Sequence, residues 1–293
     1  MINEYYQLTK PGIIYGNAFT FLAGFFLASH GNIDVRLLVA TLIGLSFIVA
    51  SGCVINNYVD RDIDALMERT SARALVTGRV SLVCARVFAL GLFLLGLVVL
   101  IIFANRLAVS ASLIGFLVYV VVYTLWLKRR SVHSTLIGGI AGAMPPVVGY
   151  LAVSGRFDVG AFLLVCALTI WQMPHFFGIA LYRVRDYTNA HIPVMPVVRG
   201  AQRTVQEMFA YVLLFTLVAL FFYIFGYVGR LFVISVGTVC AVWIWHAWQG
   251  FSVKKGGVSS WGRRMFLFSL LTLMVFCFSI FFEYFLKSLG VYV

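Results

Sequence analysis

Apolar residues fall in long blocks separated by short polar segments, and this pattern predicts membrane-spanning helices. A window of about 20 apolar residues is long enough to cross the hydrocarbon of a bilayer as an α-helix. Nine such windows occur, at approximately 13–30, 36–57, 83–104, 107–127, 134–153, 160–181, 205–227, 230–249 and 264–286. The last three carry few polar side chains, so we expect them to form scaffold.

Composition agrees with this pattern. Of the 293 residues, 62% are hydrophobic and 11% are charged, which is outside the range of soluble proteins. We therefore predict one all-α, integral membrane domain that covers residues 1–293. The net charge of +12 is scattered between apolar blocks rather than gathered in a stripe, so nucleic-acid binding is not expected.

The distribution of basic residues predicts how the helices cross the membrane. With a cytoplasmic N-terminus, the inner segments hold seventeen lysines and arginines and the outer segments hold five. This positive-inside bias favours nine spans and a C-terminus on the outside. Two inner connections, about 58–82 and 182–204, are longer than a turn and should lie on the same membrane face. The first apolar window has no basic segment before it, so we expect it to be retained rather than cleaved.

The densest charge lies directly after the second apolar window. Four of the ten acidic residues fall between Asp60 and Glu68. On a helix, Asn56, Asp60 and Asp64 share one face because they are four residues apart, and carboxylates one turn apart repel each other. A positive partner is therefore expected, either arginines from the same stretch or a hard divalent cation. Oxygen ligands of this kind suit Mg²⁺.

Basic residues on the same inner face complement these acids. Arg69 and Arg73 follow closely, and a helix would place both guanidinium groups on one face. Lys128 and Arg129 end the fourth window. Carboxylates that hold cations, beside arginines that bind oxyanions, together describe a diphosphate site. Part of this basic charge is also explained by membrane topology alone.

The sixth window carries a third polar group, Trp171-Gln172-Met173-Pro174-His175. A proline inside a span frees a backbone carbonyl and kinks the helix, which is common beside a buried cavity. His175 is either a hydrogen-bonded core residue or a functional group, and both interpretations are open. The connection that follows contains four further candidates: Tyr182, Arg183, Arg185 and Asp186.

The fifth window contains Pro145-Pro146 and a row of glycines at positions 138, 139, 142 and 149. A helix face of small residues allows close packing against neighbouring helices. It would also leave room for a large flat ligand. The sequence is compatible with both explanations.

These residues together resemble the UbiA superfamily of intramembrane prenyltransferases. The main likeness is the pattern Asn56-x-x-x-Asp60-x-x-x-Asp64-x-x-x-x-Arg69-Thr70-x-x-Arg73. Further stretches resemble the haem-farnesylating branch of the superfamily: Thr9-Lys10-Pro11-Gly12-Ile13, Ala50-Ser51-Gly52-Cys53, Trp171 to His175, and Asp186-Tyr187 followed by Ile192-Pro193-Val194-Met195-Pro196. The likeness extends to about residue 200. Many members have a second DxxxD motif, where this chain has Tyr182-x-x-x-Asp186.

The resemblance implies a UbiA-type bundle of nine helices in a bacterial inner membrane, with its active site toward the cytoplasmic face. It implies that Mg²⁺ is held by Asp60, Asp64 and Asp186, with Asn56 in support. The residues implied to stabilise the diphosphate leaving group are Arg69, Arg73 and Lys128. The implied reaction transfers the farnesyl group of farnesyl diphosphate to a vinyl group of haem B.

For the haem end, the resemblance implies that His175 contacts the iron or handles a proton during the addition of water. Its other implied substrate contacts are Arg129, Tyr182, Arg183 and Arg185, with arginines available for the haem propionates. Membrane lipid and a downstream haem-processing enzyme or terminal oxidase are the implied partners.

Three alternative functions make different predictions about the acidic residues. A superfamily enzyme that prenylates a phenolic quinone precursor should have an intact second acidic motif, and Tyr182 argues against it. A transporter would place acids near mid-span, whereas nearly all acids here lie at inner ends or in loops. A non-catalytic assembly subunit of a respiratory complex would leave the cluster of acids and arginines without a purpose.

Overall fold

The computed structural model describes residues 2–288, which form a helical bundle in which no strand occurs. Met1 and residues 289–293, and with them the predicted outer C-terminus, lie outside the described part. The helices are α1 (Ile2–Leu8), α2 (Pro11–Ser29), α3 (Val35–Val59), α4 (Arg61–Asp64), α5 (Leu82–Phe103), α6 (Arg106–Leu117), α7 (Ser134–Ser154), α8 (Val159–Tyr182), α9 (Val184–Asn189), α10 (Met195–Val198), α11 (Gly200–Ile224), α12 (Arg230–Gln249) and α13 (Val258–Ser288). Helix α6 continues without a break as a π-helical segment, Val118–Leu127.

Within these residues, nine helices are long and apolar enough to cross a membrane, which confirms the nine predicted windows. Two helices begin earlier than predicted. Helix α11 begins at Gly200, and an ion pair of 2.8 Å between Arg203 and Glu207 lies on its polar first turns. Helix α13 begins at Val258, where the Trp261 indole donates to the backbone of α12. Hydropathy alone misses such polar first turns, because they extend beyond the apolar block.

Several spans begin at polar side chains that cap their first turn. Each cap accepts a hydrogen bond from a backbone N–H that has no partner inside the helix. The capping residues are Asp34 for α3, Ser81 for α5, Asn105 for α6 and Asp158 for α8. A cap of this kind stabilises a helix by about 1 kcal/mol, so short polar connections are enough to define where these spans start.

Close backbone contacts hold α7 against its neighbours. A Cβ added at Gly24 of α2 would lie 1.9 Å from the carbonyl oxygen of Pro146, so only glycine permits this crossing. Gly149 meets the backbone of Phe21 in the same way. Further along the row, side chains from other helices fill the space at Gly138 and Gly142. The glycine row of α7 is therefore explained by close packing.

The two long inner connections pack against each other. The first runs from the end of α3 to α5, and the second from the end of α8 to α11. Ile63 and Met67 of the first form one buried cluster with Ala190 and Ile192 of the second. The prediction that both connections lie on one face is thus confirmed, and their contact places the acidic motif beneath the second connection.

We expect Gly24→Ala to destabilise the bundle by about 2 kcal/mol, because the added methyl group forces α2 away from α7. The measurement is the thermal unfolding midpoint in detergent. Gly91→Ala is the matched control, since a Cβ there meets no atom within 4 Å among the described residues. If both variants unfold at the same temperature, close packing at Gly24 does not limit the stability of the bundle.

Candidate active site

The acidic motif forms at the end of α3, where the helical path continues into α4. The Asp60 amide donates to the Asn56 carbonyl at 2.9 Å, and the Asp64 amide donates to the Asp60 carbonyl at 2.8 Å. These bonds keep all three residues on one face, as their spacing predicts. The Asn56 side-chain amide also donates to Asp60 Oδ2 at 2.8 Å and to the Thr124 hydroxyl at 3.1 Å.

Both carboxylates on this face are buried and each is paired with a cation. Asp60 is 0% exposed and forms an ion pair with Lys128, which comes from the end of the π-helical segment. Asp64 is 2% exposed, and Arg73 donates to it at 2.5 Å. A buried carboxylate loses its hydration and needs a nearby cation to remain charged. Here Lys128 lies 68 residues from Asp60, whereas Arg73 lies nine residues from Asp64.

Asp62, unlike its two neighbours in the motif, is exposed. Its carboxylate makes two hydrogen bonds with the Arg129 guanidinium, at 2.6 and 2.7 Å. These bonds with Arg129 lower the pKa of Asp62. A second Arg129 contact, 3.9 Å from Asp60 Oδ1, extends the positive charge toward the buried acid. Arg129 therefore supports the site from its edge.

Lys10 lies in the site, although its position in the sequence indicates only membrane topology and family. It precedes Pro11 with a left-handed backbone, φ 53° and ψ 67°. This places its ammonium group against Asn56 Oδ1, to which it donates a hydrogen bond. Burial lowers the pKa of Lys10 to about 8. The sequence signal for this role is a lysine directly before Pro11-Gly12. Its partner, Asn56, lies 46 residues away in the chain.

Two tyrosines of the π-helical segment lie beside the carboxylates. The rings of Tyr119 and Tyr123 stack with centroids 6.0 Å apart. Each occupies space left by a glycine, because a Cβ at Gly52 would lie 3.0 Å from Tyr119 and one at Gly138 would lie 2.8 Å from Tyr123. The wall between the acids and the bundle interior is therefore aromatic.

The second inner connection contributes Tyr187 to the same site. Burial is the main cause that raises the pKa of the Tyr187 hydroxyl. The charges of Arg69 and Lys128 act in the opposite direction, which places this hydroxyl near cations from two other elements. Asp186 Oδ2 is buried and has no hydrogen-bond partner within residues 2–288. Helix α9 thus brings an unpaired carboxylate oxygen and a phenol toward the acidic motif.

Tyr182 ends α8, at the position of the missing acid. The guanidinium of Arg183 lies 5.0 Å from the centre of its ring, and the ring also packs near Phe266 of α13. Arg185 is exposed. Tyr182 and Arg183 therefore form a cation–π pair at the edge of the site, while Arg185 faces away from the bundle interior.

One prediction about the arginines is wrong. Arg69 and Arg73 do not share the face of a helix, because residues 65–80 form successive turns. The Thr70 hydroxyl donates to the Asp64 carbonyl at 2.9 Å, which takes an acceptor that a continuing helix would use. Arg73 still reaches Asp64, whereas Arg69 lines a cavity beside α1.

His175 lies at the contact between α8 and α13. Its Nδ1 is 2.8 Å from the hydroxyl of Ser269, and its ring stacks on Trp171 at 4.9 Å. The Trp171 indole donates to the Ser269 carbonyl at 2.8 Å. The structure therefore shows a His175 ring that is held through its Nδ1.

The donor set fits a magnesium ion that is bound together with a substrate. Asp60 Oδ1 and Asp186 Oδ2 are buried oxygens without a hydrogen-bond partner in the described part of the chain. Among the same residues, no three His, Cys, Asp or Glu side chains come close enough to hold one metal ion. Asp60, Asp64 and Asp186 are thus not gathered around one point, because the first two are turned toward cations. Mg²⁺ commonly takes one or two carboxylates and completes its shell with water and substrate phosphates.

Comparison with known proteins agrees with this geometry. A model of the UbiA prenyltransferase family matches residues 17–271. The chain belongs to the UbiA prenyltransferase family. Among its relatives, a protoheme IX farnesyltransferase of Yersinia pseudotuberculosis is 44% identical over 273 residues, which is 93% of this chain and 92% of the relative. One of Acinetobacter baylyi is 46% identical over 284 residues, 97% of each chain.

Solved structures of this family have the same fold. A digeranylgeranylglyceryl phosphate synthase superposes with a TM-score of 0.80 at 17% identity, over 97% of this chain and 98% of that one. A UbiA homologue of Archaeoglobus fulgidus bound to GPP and Mg²⁺ superposes with a TM-score of 0.68 at 17% identity, over 93% and 99%. The predicted UbiA-type helical bundle is confirmed.

We expect Lys128→Met to lower the free energy of unfolding by about 3 kcal/mol, because it leaves the Asp60 carboxylate buried without its nearest cation. The measurement is thermal unfolding in detergent. The double variant Asp60→Asn with Lys128→Met should recover most of the loss, since it removes the buried charge as well. A wild-type midpoint for Lys128→Met would show that the ion pair is not needed for stability.

We expect Lys10→Met to weaken the binding of inorganic diphosphate in the presence of Mg²⁺ by about tenfold, since it removes one charged donor from the site. Asn56 keeps its bonds to Asp60 and Thr124, so the unfolding temperature should change little. The measurement is isothermal titration calorimetry. Lys254→Met, at an exposed lysine, is the control. Equal affinity for wild type and Lys10→Met would exclude Lys10 from the anion site.

Proposed function

We propose that this prenyltransferase moves the farnesyl group of farnesyl diphosphate to a vinyl group of haem B, with addition of water, and so produces haem O and diphosphate. The observation that carries the proposal is the pair of buried carboxylates, each held by a cation, on the motif residues of the family. Relatives named protoheme IX farnesyltransferase are 44–47% identical over most of the chain, which supports haem as the acceptor.

We assign binding of the diphosphate leaving group to the acidic motif and the cations paired with it. Arg73 and Lys128, now paired with Asp64 and Asp60, are placed to donate to the diphosphate oxygens once the acids bind a metal. Lys10 adds positive charge beside Asn56, and Arg69 adds it from the cavity beside α1. These groups stabilise the charge that develops on the leaving group, and this stabilisation lowers the barrier to breaking the C–O bond.

Magnesium, when bound, neutralises the diphosphate and makes it a better leaving group. Asp60 and Asp64 would hold it, with Asp186 from α9 and with Asn56 in support. Asp60 and Asp186 each have a buried oxygen that accepts no hydrogen bond within residues 2–288, which supports this assignment. Lys128 then needs another anion, and the incoming diphosphate supplies one.

The transfer itself proceeds inside the bundle. The allylic C–O bond breaks and its electron pair leaves with the diphosphate. The π electrons of the haem vinyl group form the new C–C bond, and the positive charge moves to the carbon beside the porphyrin ring. Water adds there and loses a proton, which leaves a hydroxyl group. The stacked Tyr119 and Tyr123 rings exclude water and present π-faces to the allylic cation.

The haem end is assigned to α8 and the connection after it. The Ser269 hydroxyl fixes the His175 ring through Nδ1, so Nε2 is the atom for the haem iron or for the proton of the water step. Tyr182 with Arg183, and Arg129 and Arg185, would contact the substrates from the rim, where arginines suit the haem propionates.

We place the site on the cytoplasmic face of a bacterial inner membrane, with the N-terminus inside, on the basis of the positive-inside bias. A downstream haem-processing enzyme or a terminal oxidase would receive the product. An aromatic quinone precursor is the alternative acceptor. It is disfavoured because Tyr182 stands where an intact second acidic motif would have its first carboxylate.

The decisive experiment incubates purified protein with haem B, farnesyl diphosphate and Mg²⁺, and detects the product by mass spectrometry. We expect farnesylated haem with one added water. Removal of Mg²⁺ by a chelator should stop product formation, because the diphosphate then leaves with its full charge. A phenolic acceptor tested in parallel should remain unmodified.

Asp60→Ala and Asp64→Ala should each lower the rate at least 100-fold. Asp34→Ala, at the cap on the far end of α3, is the control with the same chemical change. Prenylation of the phenolic acceptor without farnesylated haem would refute the haem assignment. Full activity in both motif variants would refute the metal assignment.

A further inference from the structure

A cavity separate from the carboxylate face lies between α1 and the turns that follow α4. It has a volume of about 320 Å³. Its walls include Glu4 and Gln7 of α1, Asn57 from the last turn of α3, and three arginines of the first inner connection, Arg69, Arg73 and Arg79. It is large enough for a phosphate group with a small polar substituent.

The cavity carries an excess of positive charge. Its three guanidinium groups face one carboxylate, that of Glu4, which accepts from Arg79 at 2.7 Å. Arg73 is engaged by Asp64 on its other side. Arg69 remains, with no ion pair in the described part of the chain, so one guanidinium is available to an anion. Arginine binds phosphate oxygens through its planar set of donors.

Asn57 indicates that a ligand of this cavity would also carry a hydrogen-bond donor. Its side-chain amide donates to the Leu8 carbonyl at 2.8 Å, which holds α1 in place as a wall of the cavity. Its Oδ1 is buried and finds no donor anywhere in residues 2–288. A buried acceptor without a donor is costly. A ligand that carries a hydroxyl group as well as a phosphate would satisfy both Asn57 and Arg69.

The cavity also lies beside the ends of two predicted membrane spans. Asn57 is in the last turn of a span, and α1 precedes the first span directly. Ile2 is 89% exposed, and the exposed side chains of Tyr6 and Tyr15 join through their hydroxyls at 2.5 Å. Exposed tyrosines of this kind are typical of the interface between lipid and water.

We propose that this cavity binds a phosphate group that carries hydroxyl donors, beside the catalytic site but separate from it. A hydroxyl-bearing anionic lipid headgroup such as phosphatidylglycerol has this chemistry, and free glycerol phosphate shares it. Arg73 then forms a common wall, with Asp64 on one side and the bound phosphate on the other. The proposal does not depend on which acceptor the enzyme prenylates.

The test compares Arg79→Gln with Glu4→Gln. Both variants break the same ion pair, so a purely structural effect would change binding in the same direction. A phosphate site gives opposite directions, because the first variant removes a cation and the second removes an anion. Binding of phosphatidylglycerol to delipidated protein is measured by native mass spectrometry, with diacylglycerol as the lipid without phosphate. Glycerol phosphate, a soluble phosphate that carries hydroxyl groups, is titrated by calorimetry into protein saturated with Mg²⁺ and diphosphate, so that the catalytic site is already filled.

We expect Arg79→Gln to weaken phosphatidylglycerol binding and Glu4→Gln to strengthen it, each by roughly threefold, while diacylglycerol binding stays constant. Arg156→Gln, at an exposed arginine on the predicted outer face, should match wild type. Opposite changes in the affinity for glycerol phosphate alone would support the phosphate site with a soluble ligand. Changes in the same direction, or no change with either phosphate probe, would overturn the proposal.

Discussion

The structure of the inner face depends on the burial of two carboxylates. Asp60 and Asp64 lie where hydration is lost, so each requires a cation, and no neighbour in the local sequence supplies one to Asp60. Lys128 reaches it from the end of α6 and its π-helical extension, 68 residues away. Arg73 returns to Asp64 through a set of turns. The ends of two spans and the first connection are held together by these charges.

The same arrangement explains how a site for a diphosphate can persist without its ligand. Lys128 and Arg73, which would bind the diphosphate, form ion pairs with Asp60 and Asp64, which would bind the metal. When both arrive, each partner exchanges one opposite charge for another, so no charge is left buried alone at any stage.

Much of this architecture is predictable from the sequence, because it depends on local patterns. Apolar blocks define the nine spans, and the spacing of Asn56, Asp60 and Asp64 defines their common face. Contacts between distant segments are different. The bonds of Lys10 to Asn56 and of His175 to Ser269 join residues 46 and 94 positions apart, which only helix packing brings together. The turns at Arg69–Arg73 were missed because the Thr70 hydroxyl competes with the helix.

The buried contact of Ile63 and Met67 with Ala190 and Ile192 has a consequence for how binding of one substrate would affect binding of the other. One connection carries the diphosphate ligands and the other carries the residues assigned to the second substrate. Their shared apolar contact means that ordering either one lowers the cost of ordering the other. Under the proposed assignments, each substrate would then raise the affinity for its co-substrate by the same factor. The two halves of the reaction would be energetically coupled even where no ligand touches both.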